Sequence, residues 1–324
     1  MSQASILTAL IEVSNVNDRL SITLPKWWKR SQPSLLVLGL LLISQTRLVA
    51  QENSSAAADR LYEASMQLLE ENTAESRRQA FENLEQARQL FEAADHQGGV
   101  ANTLLNLGKV FYLSGDWEQS IVYLNQALPL FQALGDRQGE ASAFNGMGVT
   151  SFDAGEIEQA LDYFHQALSL RRALGDREGE AAVLNNIGGI YSALEQWEQA
   201  QDTFYQSLQT SRDTGDRAGE ATTLYNLGVL ADQQNQPEQA LSYYHQALPL
   251  KQETGDRSGQ AYTLLNIGAT HYHLGHFEQA LAYLHQALPL FREIGDLQGE
   301  AITLNNIDLV LQAIQEVALH SGGF

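Results

Sequence analysis

The dipeptide Gly-Asp returns every 40 residues, at Gly135-Asp136, Gly175-Asp176, Gly215-Asp216, Gly255-Asp256 and Gly295-Asp296. A fixed period of this length predicts one supersecondary unit stacked on the next, a solenoid without a single central core. Between these markers a second glycine keeps the same register, at Gly108, Gly148, Gly188, Gly228 and Gly268; only Asp308 interrupts it. A small residue follows at Ser120, Ala160, Ala200, Ala240 and Ala280. A large apolar one comes next, at Leu124, Phe164, Phe204, Tyr244 and Leu284, and then Ala127, Ala167, Ser207, Ala247 and Ala287.

One period, residues 136 to 175, explains the pattern. Gly135 suits the left-handed conformation that ends a helix, and Asp136 suits the cap of the next. Glu140 favours the positive end of a helix dipole, and Ala141, Phe144, Met147, Gly148 and Phe152 recur at helical spacing, so a first helix is predicted over about 138 to 154. Gly155-Glu156 makes a turn, and Ile157, Ala160, Leu161, Phe164, Ala167, Leu168 and Leu170 define the apolar stripe of a second helix. Gly148 and Ala160 remove bulk where the two backbones must approach, and Phe164 fills the space beside them. Pro129, Pro249 and Pro289 fall inside second helices, where each deletes a backbone hydrogen bond and is expected to adjust curvature.

These offsets resemble the tetratricopeptide repeat family, whose standard unit is 34 residues. The 40-residue form with Gly-Asp-Arg at its boundaries is similar to a longer-helix subclass, that of the Leu-Gly-Asn repeat-enriched adaptors and of bacterial arrays that precede caspase-like (CHAT) domains. The resemblance implies an all-α superhelix of antiparallel helix pairs. It divides the chain into a leader (1–50), a short linker (51–56), a degenerate repeat (57–95), five full repeats (96–295), a capping helix (296–318) and a tail (319–324). In the degenerate repeat, Asn72 and Glu75 are spaced as a capping box. The capping helix carries Asp308 at a solvent-facing place and leaves Val310, Leu311, Ile314 and Val317 as apolar surface, a possible route to homo-oligomers.

The formal charge of −20 argues against a nucleic-acid partner, since an acidic body repels phosphate. With no cysteine in the chain, disulfides, thiolate metal sites and a Cys nucleophile are excluded. Lys26-Trp27-Trp28-Lys29-Arg30, the apolar run from Leu35 to Ile43 and Leu48-Val49-Ala50 have the order of a secretory signal cleaved near Ala50. The apolar run is shorter than the roughly 20 residues of a membrane span. Export to a periplasmic or extracellular space is therefore the expectation, a cytoplasmic location the alternative, and no stable membrane insertion is expected after cleavage.

The resemblance places ligand contacts on the first helices, which line the concave side. Carried over residue by residue, it nominates Asn102, Lys109, Tyr112, Asn145, Phe152, Asn185, Tyr225, Tyr262 and Tyr272 as the lining of a peptide-binding groove. Ser142, Val149, Ala182, Gly189, Thr222, Val229, Asp232 and His273 fall at equivalent places. Amides that pair with a peptide backbone and rings with polar tips suit a polypeptide segment. By contrast, Asn106, Asn186, Asn226, Asn266 and Asn306 recur at one place, which argues for a structural hydrogen bond in each repeat. His165, His245 and His285 are expected on the convex face, too far apart for one metal shell. His271, His273 and His276 lack the spacing of a helical ligand pair. No catalytic constellation, metal site or cofactor is predicted. The expected function is a non-enzymatic interaction scaffold for a peptide or protein segment. The alternatives are an architectural solenoid joined through its ends and a regulatory partner of a separately encoded effector.

Overall fold

The computed structural model describes residues 33–321. Among them are thirteen α-helices and no strand. In chain order they are α1 (Pro33–Glu71), α2 (Ala74–Ala93), α3 (Gln97–Leu113), α4 (Trp117–Leu134), α5 (Arg137–Asp153), α6 (Ile157–Leu174) and α7 (Arg177–Ala193). They continue with α8 (Trp197–Thr214), α9 (Arg217–Gln233), α10 (Pro237–Glu253), α11 (Arg257–His273), α12 (Phe277–Ile294) and α13 (Leu297–Ser321). Each odd-numbered helix pairs with the even-numbered one that follows it, and α13 has no such partner. The basic segment Lys26–Arg30 lies outside the described residues, and α1 runs without a break from Pro33 past Ala50. No helix among the described residues is long and apolar enough to cross a membrane.

Gly-Asp works as helix punctuation. Gly135, Gly175, Gly215 and Gly295 each end a second helix in the left-handed conformation. The Asp that follows accepts the backbone N–H three residues on, as Asp136 does from Gly139 at 2.9 Å. The degenerate repeat corrects the sequence reading by one place. Thr73 and Ser76, not Asn72 and Glu75, form the capping box of α2, because Asn72 sits at φ 49° and ends α1 instead.

Pairing within a repeat rests on the small–large complement. A Cβ built on Gly148 would lie 2.7 Å from the Phe164 ring, and one on Gly188 2.7 Å from Phe204. Gly108 and Gly268 meet Leu124 and Leu284 at 2.8 Å, so every one of these contacts requires glycine opposite a large side chain. α4, α10 and α12 run through Pro129, Pro249 and Pro289 unbroken.

The turn inside each repeat uses Gly115, Gly155 and Gly275 at positive φ, but Glu195 (φ 58°) and Asn235 (φ 56°) occupy it in two copies. A left-handed L-residue costs roughly 1–2 kcal/mol. Glu195→Gly is therefore expected to raise the unfolding free energy by about 1 kcal/mol, read from urea denaturation. An unchanged or lowered midpoint would show that turn strain is not what Glu195 contributes.

At the C-terminal end, Ala301, Leu304, Asp308 and Leu311 are exposed, whereas Ala261, Leu264 and Gly268 at the same places are buried. Val310, expected at the surface, is fully buried against α12, since it continues the inward row of Val110 and Ile190. Leu311 and Val317 do remain exposed.

Candidate functional site

First helices of successive repeats approach one another, α3 to α5, α5 to α7 and onward to α13, while the backbones of second helices keep apart. Such splaying puts the first helices on the inner side of the superhelix. Side chains alone bridge the outer side, as where the hydroxyls of Tyr205 and Tyr243 meet at 2.7 Å. His165, His245 and His285 are exposed on second helices.

The nominated groove residues all lie on first helices, spread over five repeats. Asn102 and Lys109 are exposed, and the other seven are half-buried. Lys109, Tyr112 and Asn145 come together with Ser142 and Val149 around a cavity of about 320 Å³ between α3 and α5. Asn185 lines a second cavity, of about 360 Å³, between α7 and α9. Phe152, Tyr262 and Tyr272 do not join either cavity; Phe152 packs on the α5–α7 core and Tyr262 and Tyr272 on that of α11–α13.

A ladder of amides ties the first helices together. Asn186 donates to Asn145 at 3.1 Å, Asn226 to Asn185 at 3.2 Å, and Asn266 to the Tyr225 hydroxyl at 3.0 Å. Asn106 donates to Tyr62 at 2.9 Å. At Asn106, Asn186, Asn226 and Asn266 the recurrent Asn is thus structural, as its regularity argued, and its acceptors include three residues nominated as ligand contacts; at Asn306 the acceptor's place is taken by Leu265. The ladder uses the carbonyl oxygens of Asn145 and Asn185. Their amide N–H groups have no partner among the described residues and remain available as donors.

Two of the groove hydroxyls are held in the protonated form. Burial, then the hydrogen bond to Asp153 at 2.8 Å, pushes the Tyr112 phenol up to about 12. Burial and the bond to Asp296 at 2.6 Å do the same to Tyr262, also to about 12. Asp232 accepts from Tyr244 and Thr270, yet burial still holds its carboxyl above the usual range. This surface offers hydrogen bonds, ring faces and few charges.

Among the described residues no group of three or more His, Cys, Asp or Glu side chains is disposed to hold a metal ion. His271 and His276 do meet, their Nδ1 atoms 3.4 Å apart, with His271 buried and stacked on Tyr283 at 5.5 Å. His273, on the same helix, stays exposed. Burial, His276 and His245 all lower the pKa of His271. A depressed histidine binds fewer protons folded than unfolded, so its contribution to stability is full above the ordinary value of 6.5 and is lost as pH falls from there through the depressed folded value. The C-terminal repeat should therefore lose hydrogen-exchange protection between pH 7 and pH 5. His271→Phe, which restores the residue type of Phe111, should remove that dependence; an equal pH effect in the variant would place its origin elsewhere.

The structure also shows signals that the sequence reading passed over. Gly99, Gly139 and Gly299 each take the ring of Phe91, Phe131 or Phe291 against the backbone of a first helix. The Arg of Gly-Asp-Arg pairs with the Glu three residues on, Arg177 with Glu180 at 2.7 Å and Arg217 with Glu220 at 3.0 Å. Recurrence of Gly-Asp-Arg-x-Gly-Glu around the boundaries, as at 175–180 and 215–220, is the signal that could have identified both.

Similarity to known proteins follows the same lines. Family profiles described as tetratricopeptide repeat match residues 74–133, 139–213 and 180–253, and a second such profile matches 260–294. No curated protein sequence matches the chain. Among solved structures it is similar to BtubC (BKLC) from P. vanneervenii, at 20% identity and a TM-score of 0.55, over 76% of this chain and 92% of that one. It is similar to a Rap protein complexed with competence and sporulation factor, at 15% identity and 0.58, over 79% and 75%. Aspartyl phosphate phosphatase F from Bacillus subtilis matches at 13% identity and 0.60, over 89% and 79%. Identities this low speak to fold alone. The fold, the 40-residue period and the family profiles over more than half of its length agree: the chain belongs to the tetratricopeptide repeat family.

Proposed function

We propose that the protein is a non-enzymatic interaction scaffold that holds a peptide or protein segment along its concave groove. The observation that carries this reading is the pair of cavities between successive first helices, about 320 and 360 Å³, each bordered by an Asn whose amide N–H groups the ladder leaves unpaired. An extended chain laid across them would receive backbone hydrogen bonds from Asn145 and Asn185 and ring contact from Tyr112, a combination of polar donors and half-buried apolar surface suited to polypeptide. Membership of a repeat family whose arrays serve as binding surfaces supports the same class of function, as does the Rap protein of similar fold, solved with a bound factor. The expected export of the protein, from the order of its N-terminal residues, is part of this proposal.

The ladder decides how to test the groove. Removing Asn185 or Tyr225 would also break an inter-repeat hydrogen bond, so a loss of binding would be ambiguous. Gly189 faces the groove, and a Cβ placed there meets nothing within 4 Å. Gly189→Arg should fill the groove while leaving the thermal midpoint unchanged or slightly raised, since a helical glycine costs about 0.5–1 kcal/mol. Proteins captured from native extract on the immobilised wild type should fall at least tenfold on the variant. Equal capture by both would reject the groove.

A further inference from the structure

The repeats serve as templates for one another, and the middle one is missing a part. At the end of α6, Arg171 is mostly buried and reaches between two first helices. Its guanidinium donates to Asp176 Oδ2 at 2.6 Å and to Ser142 Oγ at 2.9 Å. Two repeats later, at the end of α10, Lys251 does the same: Nζ lies 2.8 Å from Asp256 Oδ2 and 3.0 Å from Thr222 Oγ1. In both places the chain's own cation sits against the capping Asp of the next first helix and against a hydroxyl of the previous one.

The intervening repeat keeps the site and omits the cation. Ser211 stands at the place of Arg171 and Lys251, Ala182 at that of Ser142 and Thr222, and Asp216 at that of the two capping aspartates. Asp216 Oδ1 accepts from Gly219 at 2.9 Å, as every such cap does, but no cation among the described residues pairs with its carboxylate. The cavity of about 360 Å³ opens there, bordered by Ala182, Asn185, Asp216, Gly219 and Thr222. Ser211 is fully buried behind Gly219, which lines the cavity, and its Oγ has no hydrogen-bond partner among the described residues, which is costly for a buried hydroxyl. An unpaired capping carboxylate, an unsatisfied hydroxyl and an opening on the concave face thus coincide where both flanking repeats hold a buried cation.

We propose that this cavity is a subsite for one lysine or arginine side chain of the polypeptide bound in the groove, which supplies the cation that Arg171 and Lys251 supply from within. The inference rests on the groove reading and names the chemistry of one of its contacts. Asp216 receives the charge, and the Asn185 oxygen, which accepts one bond from Asn226, keeps a lone pair for one further N–H donor of a guanidinium or ammonium; the Thr222 hydroxyl already holds Lys251. The strongly negative chain favours the approach of such a group.

A random dodecapeptide library displayed on phage, selected against the wild type, S211R/A182S and D216N, tests it. The double substitution rebuilds the Arg171 arrangement and fills the subsite from inside; its thermal midpoint should equal or exceed that of the wild type. D216N keeps an N-cap, since Asn caps as well as Asp, and removes the charge alone. Peptides selected on the wild type should carry Lys or Arg at one fixed position, enriched at least tenfold over the library. On both variants that enrichment should fall to background while other positions remain selected. Wild-type peptides without a fixed basic residue, or a basic residue retained on both variants, would overturn the subsite and leave the groove standing. If no sequence is enriched on any of the three proteins, the groove reading fails and the subsite with it.

Discussion

Phe164→Ala is expected to destabilise the protein by about 3–5 kcal/mol, the range for removing a buried ring that the surroundings cannot close over. Phe164 is 2% exposed, and its ring lies where any side chain at position 148 would have to go. It also belongs to the cluster that joins α5 and α6 to Val183, Leu184 and Ile187 of the next repeat. Truncation therefore weakens the pairing within a repeat and the stacking onto its neighbour together. Each repeat contacts only those beside it, so the loss should stay local, as in a one-dimensional array. Hydrogen exchange should rise first in α5, α6 and α7, while α11 and α12 keep their protection. Phe164→Leu, which restores the residue type of Leu124 and Leu284, should cost less than about 1.5 kcal/mol. A uniform rise in exchange along the array, or a leucine variant as weak as the alanine one, would refute this account.

The locality of that effect explains what could be read before the structure. Gly148 and Phe164 were legible because the same pair recurs with Gly108 and Leu124, and with Gly228 and Tyr244; repetition turns a contact into a pattern. The left-handed Gly135 and the cap at Asp136 were legible for the same reason. Thr73 was not, because the degenerate repeat breaks the register and a local rule had to choose between adjacent polar residues. Asn186 could be recognised as structural from its recurrence, but its acceptor Asn145 is 41 residues away, one more than the period. That pairing depends on how far one first helix is rotated against the next, which no single repeat encodes. The cavity beside Asp216 was hidden in a different way. Ser211 and Ala182 are unremarkable alone and acquire meaning only beside Arg171 with Ser142 and Lys251 with Thr222, once those side chains are seen to converge.

Arg171→Ala should destabilise the protein by about 3 kcal/mol near pH 7, because it takes one partner from a mostly buried ion pair and leaves the other. The Arg171 side chain is 11% exposed and that of Asp176 22%. Burial works against ionised Asp176, but the Gly179 amide, Gln138 and Arg171 together hold its carboxyl below the ordinary value of 3.8. A carboxylate depressed in the folded state stabilises above that value and loses its contribution as pH falls below it through the depressed folded value. The deficit of the alanine variant should therefore shrink on acidification toward pH 3. Arg171→Phe should behave differently. Phe91, Phe131 and Phe291 occupy the same place in other repeats, with their rings against Gly99, Gly139 and Gly299, and a well-packed apolar side chain in place of a buried ion pair is often neutral or stabilising. The phenylalanine variant should stay within about 1 kcal/mol of the wild type and lack the Arg171-dependent part of the acid response. If instead both variants are equally weak, the ion pair itself and not the filling of the space holds α5, α6 and α7 together.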